Sequence, residues 1–382
     1  MKKYRLMVPG PTAAPPEVTA AGALPAIDER IPRFASQFDR VTGNLRAIFE
    51  TDSDVLMLMS STTGACESTI QNLFSPGERV LVANNGFFAE RWAAMCRAFG
   101  LDVVELAFEW GESVDAARVA DTLAADPSIT GAVCVHCETS TGAVSDMDAF
   151  AEATRDVVSV VDAASSLGAL PLRCADRGLD VVVSGCQKAL MTPAGLSFVA
   201  ISERAWQAHQ AATMPRFYFD WTQIKTALAE RGATPFTPAT TLIGQLDVAL
   251  DRILTEGLDE VCQRHATACT VARAGLAALG FDMLIPAGTG SVVTAARTPP
   301  GVDADKLVRT LLDEHGVQIT GGVGRLAGRV IRLGHCGEVD AYDVITAISA
   351  VELAITAAGH QVQPGTGVSA AQRALAALEG AR

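Results

Sequence analysis

The 382-residue chain has no uninterrupted apolar run long enough to cross a bilayer, so a membrane-embedded role is not expected. Clustered basic residues are missing too: 30 Lys and Arg stand against 43 Asp and Glu, a net charge of -13. Non-specific nucleic-acid binding needs such clusters to neutralise phosphates, and a small-molecule ligand is the better expectation. A disulfide framework is also lacking, because the nine cysteines stand at 66, 96, 134, 137, 174, 186, 262, 269 and 336, an odd number without paired spacing. They read as reduced, mostly core thiols. The stretch "CVHC" at 134–137 has metal-like spacing, but no second Cys or His pair stands nearby and it closes a strand-like run, so no metal is expected. At the start, "MKKYRLMVPGPTAAPP", Pro9, Gly10 and Pro11 interrupt any apolar segment behind the basic residues, which leaves no signal peptide and favours the cytoplasm. There are no internal repeats and no low-complexity tract beyond an alanine bias.

What is present is a succession of short β-rich runs: 54–60, 79–84, 102–108, 130–137, 157–164, 180–185 and 196–202. Bounded by Gly, Pro, Asn or Asp and separated by helical stretches, they predict seven strands of a mostly parallel sheet buried on both faces. "GACESTIQNLF" and "FFAERWAAMCRAFG" read as two of the helices, the second ending at a glycine C-cap. The expected architecture is α/β, with an entry segment at 1–16, a large domain at 17–245 and a smaller C-terminal α+β domain at 246–382. In the small domain a helical pattern over 242–279 is broken at Gly257, "SVVTAAR", "VQITGG" and "RVIRLG" are strand candidates, and "SAAQRALAALEG" reads as a peripheral helix.

Ligands of open α/β sheets collect beyond the carboxyl ends of the strands, so the residues just after each run carry the functional question. "SSTTGACES" puts hydroxyls and a glycine at the start of a helix, which suits a phosphate or a plain N-cap. "NNGFFAE" presents Phe87 and Phe88, which fit either core packing or a ligand face. "VDAASSLG" ends a strand on Asp162 followed only by small residues, leaving room for a flat ligand or merely capping the next segment. "DVVVSGCQKALMTP" runs from a strand into a turn with one lysine, Lys188, either a solvated charge or an amine held for chemistry.

The order and spacing of these pieces resemble the class V, fold-type I pyridoxal-phosphate aminotransferases, especially the alanine/serine–glyoxylate (or –pyruvate) group. The resemblance runs through "VPGPTAAPPEV", "SSTTGACES", "NNGFFAE", "HCETSTG", "VDAASSLGALPL", "SGCQKAL", "PFTPATTL" and "VIRLGHCG", nearly the whole chain. It implies pyridoxal 5′-phosphate as cofactor, joined to Lys188 as an aldimine, with Lys188 then shuttling the substrate proton. It implies Asp162 paired with the pyridinium nitrogen, so that the ring acts as an electron sink. Ser61, Thr62, Thr63 and Gln187 would hold the phosphate, Phe88 would stack on the ring, Ala164 would lie beneath the other face and Thr139 would sit near the ring oxygen. Thr237 would reach the phosphate of the neighbouring subunit of a homodimer. Arg332 matches the arginine that holds the substrate carboxylate, and Gly10 would approach the substrate through its backbone.

The chain departs from the family where many members carry a His-Arg pair: it reads "AIDERIPRF", which makes Glu29, Arg30 and Arg33 candidates for selecting the donor. The implied reaction is a ping-pong transfer of an amino group from a small amino acid, alanine or serine, to the 2-oxo acid glyoxylate or pyruvate. The ending "AITAAGHQVQPGTGVSAAQRAL" also resembles pyridoxamine–pyruvate aminotransferases, and "HCETSTG" the 2-aminoethylphosphonate–pyruvate enzymes. A lyase or desulfurase on the same fold would use Cys336, the cysteine near the carboxylate site. A non-catalytic pyridoxal- or nucleotide-binding protein is the remaining alternative.

Overall fold

The computed structural model describes residues 3–286 and 290–380. The seven apolar runs form the strands β1 (Asp54–Leu58), β2 (Arg79–Asn84), β3 (Asp102–Ala107), β4 (Ile129–Val135), β5 (Val158–Asp162), β6 (Val181–Gly185) and β7 (Ser197–Ile201). They make one sheet in the order β1-β7-β6-β5-β4-β2-β3. All neighbours are parallel except those of β7, which runs antiparallel to β1 and β6.

Side chains alternate across each strand, and both faces are buried except at the edge strand β3, which is partly exposed. Val55, Met57, Leu81 and Ala83 pack on one side with Phe38 and Leu45 of α1 (Pro32–Phe49). Leu56, Leu58, Val80 and Val82 pack on the other, against Ile70 of α2 (Thr62–Leu73) and Cys96 of α3 (Phe87–Ala98). Each such side chain contributes about 1.5–3 kcal/mol on burial, which is why the strands read as continuous apolar runs. Because α2 and α3 follow β1 and β2 directly, their N-termini lie at the carboxyl end of the sheet.

The helical pattern over 242–279 forms two helices, α4 (Thr240–Glu256) and α5 (Leu258–Ala278), divided at Gly257. The expected boundary at 245/246 falls inside α4, whose Ile243, Leu246, Leu250 and Ile253 belong to the core beneath the large sheet. The small unit has its own antiparallel sheet, β8 (Asp282–Met283), β9 (Val293–Arg297), β10 (Thr320–Gly321) and β11 (Val330–Gly334), in the order β8-β9-β11-β10. It packs on α5 and α6 (Ala341–Ala357).

The alanine-rich tail forms α7 (Thr366–Glu379), which is not peripheral: Ala371 and Leu375 join the small unit's core, and a Cβ on Gly367 would stand 2.8 Å from Leu279. Small side chains let α7 approach closely. The entry segment joins the small unit: Arg5–Leu6 pairs in parallel with Val317–Gln318 and Met7 enters the same core.

Candidate active site

The carboxyl ends of the strands converge on one cavity. β1 leads to Ser61, Thr62 and Thr63 at the start of α2, and β2 to Phe88 in the first turn of α3. Beyond β4 comes Thr139, β5 ends on Asp162 with Ala164 two residues on, and β6 leads to Gln187 and Lys188. All nine residues line the same space, about 660 Å³ including its solvent-open part.

Lys188 is roofed by the entry segment. Its Nζ donates to the carbonyl of Pro9 at 3.0 Å, while Thr12 donates its hydroxyl to the Lys188 carbonyl at 2.7 Å and its N–H to that of Gln187 at 3.0 Å. Gly10 lies against the lysine side chain at φ +141°, and a Cβ there would overlap Lys188 Cδ and Nζ. Only glycine serves both demands. Burial pulls the Lys188 amine below the ordinary lysine value, with the charge of Asp162 opposing.

Asp162 is held at both oxygens: Trp92 Nε1–H donates to Oδ2 at 2.8 Å and the Ala164 N–H to Oδ1 at 2.9 Å. Burial raises its pKa, and the two hydrogen bonds work against that rise. A buried carboxylate of this kind calls for a cationic partner in the cavity.

The opposite end is a cradle for an anion. Ser61 occupies the N-cap of α2 without a side-chain capping bond, so the first N–H groups and the helix dipole face the cavity beside three hydroxyls. Gln187 Nε2 donates to Thr62 Oγ1 at 3.3 Å, whereas its buried Oε1 has no partner, which frees the amide to turn its nitrogen toward an anion. Gly185 leaves the space taken by Thr62 Oγ1, where a Cβ would overlap it. The Phe88 ring lines the same cavity, with the Arg91 guanidinium 5.0 Å from its centroid.

Arg332, on β11, is buried just outside this lining. It donates from Nε to Gly321 O at 2.8 Å and from Nη1 to Thr139 O at 3.1 Å. Neither carbonyl neutralises its charge. Thr237 is exposed on the loop before α4, and Glu29, Arg30 and Arg33 do not line the cavity; Glu29 and Arg30 pair with each other at 3.4 Å. Cys336 is fully buried and its thiol is pushed up to about 12 by burial. Among the described residues no group of three or more His, Cys, Asp and Glu could hold a metal ion.

Sequence reasoning missed Trp92, Arg91, Glu138 and the strap of Pro9 and Thr12. Trp92 had a signal: it follows Phe88 by four residues, one helical turn along the same face.

An acid facing a ring-sized space, a lysine amine held low, an aromatic platform and an anion cradle, all on this strand order, define a pyridoxal-phosphate enzyme of fold type I. The family model described as aminotransferase class-V matches residues 21–330, and the chain belongs to that family. It is 37% identical over 97% of its length to the soluble hydrogenase 42 kDa subunit of Anabaena cylindrica (98% of that protein covered). It is 36% identical over 96% of its length to the L-aspartate–glyoxylate aminotransferase of Paracoccus denitrificans (95% covered). Its structure resembles that of pyridoxamine–pyruvate aminotransferase from Mesorhizobium loti, with TM-score 0.93 and 29% identity over 99% of this chain and 98% of that one. The chain is an aminotransferase with pyridoxal 5′-phosphate as cofactor, and the cavity fits that group: the Gln187 amide, free to turn because its Oε1 has no partner, and the open α2 N-terminus suit its phosphate, and Asp162 its ring nitrogen.

Proposed function

We propose that the enzyme moves an amino group from a small amino acid, alanine or serine, to glyoxylate or pyruvate. The observation that carries this reading is the placing of the Lys188 amine and Asp162 in one cavity, with Arg332 close by. Bound pyridoxal phosphate supplies an aldehyde that takes up the amino group and a ring that accepts the electron pair from the α-carbon. Lys188 Nζ, held low by burial, is the base that takes the α-proton and returns it. Asp162 keeps the ring nitrogen protonated. Arg332 binds the substrate carboxylate and so fixes which α-bond stands perpendicular to the ring. Glyoxylate as acceptor accords with the name of the Paracoccus relative.

The hydroxyls and open N–H groups at Ser61–Thr63 favour a phosphorylated cofactor over the free vitamer as substrate. Desulfurase chemistry would need a thiolate, which burial denies Cys336. We further place the enzyme in the cytoplasm, consistent with nine cysteines that form no disulfide, and read it as a homodimer in which Thr237 reaches the neighbour's phosphate. Exposed Phe217, Tyr218, Leu24 and Ile31 support that reading, and Tyr218 stacks on Phe236, next to Thr237.

The test is single-turnover conversion of the bound aldehyde to the amine form, followed spectroscopically with alanine, serine, aspartate, 2-aminoethylphosphonate and pyridoxamine. Alanine or serine should convert it fastest, and Lys188→Ala should abolish steady turnover. Fastest conversion by any of the other three reassigns the donor. In the same assay Arg332→Lys, which loses the planar fork, should raise the donor saturation constant about 10- to 100-fold.

A further inference from the structure

The segment "HCETSTG" carries a carboxylate that the reaction described above does not use. Glu138 is fully buried, and both of its oxygens are occupied. Oε2 accepts the N–H groups of Phe88 at 2.9 Å and Ala89 at 3.2 Å, in the first turn of α3. Oε1 accepts the Ser140 N–H at 3.0 Å and the Ser140 hydroxyl at 2.6 Å. Ser140 Oγ in turn accepts the Phe87 N–H at 3.3 Å. The opening N–H groups of α3 are therefore held by residues distant in sequence, whereas Gly86, at the N-cap, has no side chain to offer. Gly86 is also what makes room, because a Cβ there would overlap Glu138 Cγ.

Both ends of this bonding reach the reaction space. Phe88, whose N–H Glu138 holds, carries the ring platform. Thr139, between Glu138 and Ser140, lines the cavity and offers its carbonyl to Arg332 Nη1. The charge of Glu138 also supports the Arg332 guanidinium, which forms no ion pair among the described residues. A local serine N-cap would satisfy the same helix end without tying it to Arg332. We propose that Glu138 is a positioning residue that fixes the Phe88 platform and the Arg332 guanidinium relative to each other, and with them the cofactor ring and the substrate carboxylate. Transfer depends on one α-bond standing perpendicular to that ring, so a tilt between platform and guanidinium is a direct loss of rate.

The inference rests on the aminotransferase reading, and the test separates the two. Protein loaded with pyridoxal phosphate is titrated with propionate, a carboxylate without an amino group, and read by the shift of the bound-cofactor absorption and by its circular dichroism. Glu138→Gln keeps the shape but faces one pair of donors with an N–H and removes the charge. It should weaken propionate binding about tenfold or more and alter the dichroism of the cofactor band. A merely structural cap would lower the melting temperature and leave both readings unchanged, which overturns the proposal. If Glu138→Gln does not fold, Ser140→Ala removes two bonds of the same set and leaves the carboxylate. It should weaken propionate about threefold or more and alter the dichroism in its own right; wild-type values overturn the proposal. Wild-type protein that forms no cofactor band overturns the aminotransferase reading as well, whereas a normal band with indifferent variants overturns only the role of Glu138.

Discussion

Lys188 and Asp162 are opposite charges whose pKa values burial moves toward neutrality, the amine downward and the acid upward. The folded apoprotein therefore binds the lysine proton less tightly than the unfolded chain does. Between the depressed folded value and about 10.4 the unfolded state carries more protons, so this group's contribution to stability rises with pH. Lys188→Met should accordingly stabilise the apoprotein at neutral pH, and its melting temperature should converge with that of the wild type as pH approaches about 10.4. Asp162 responds to its neighbours in the opposite sense. Trp92→Phe removes a hydrogen bond to the charged form, so the Asp162 pKa rises further and the acid limb of the kcat–pH profile moves to higher pH, about tenfold in activity at the foot of the limb. Strand-end positions made Asp162, Lys188 and the Ser61–Thr63 hydroxyls legible from the sequence, because a residue just beyond an apolar run has one place to go. Glu138 and the Pro9 strap were not legible. Their bonds join segments far apart in the chain, and no local pattern encodes such a meeting.

At the level of elements, six of the seven strands were readable because burial on both faces leaves an unbroken apolar run, whereas the partly exposed edge strand β3 was readable from its paired valines. The small unit was less so: β8 and β10 are two residues each, too short for alternation to appear. Helix α7 was misplaced because alanine looks equally at home on a surface and at a close helix contact. One junction of elements yields a direct test. The end of β6 touches the start of α2 only because Gly185 has no side chain where Thr62 Oγ1 stands. Gly185→Ala should push α2 away from the phosphate cradle and raise the dissociation constant for pyridoxal phosphate about tenfold or more, measured by equilibrium titration, with the far-UV spectrum unchanged.

Across the whole molecule, the exposed aromatic surface about Phe217, 71% exposed, is unusual for a protein with so apolar an interior. If the proposed homodimer is right, Phe217→Asp should give a monomer by light scattering where the wild type is a dimer, and weaken pyridoxal phosphate binding. Thr237→Ala should weaken that binding while leaving the mass equal to that of the wild type. The roof over Lys188 has a different consequence, for the chain as it is made. Residues 5–6, which lead into the Pro9–Gly10 roof over the lysine, pair with residues 317–318. During synthesis the early segment must wait, unpaired, until that distant strand has left the ribosome. A chain ending before Val317 lacks the strand that pins Arg5–Leu6, so the roof over Lys188 depends on one of the last segments to be made.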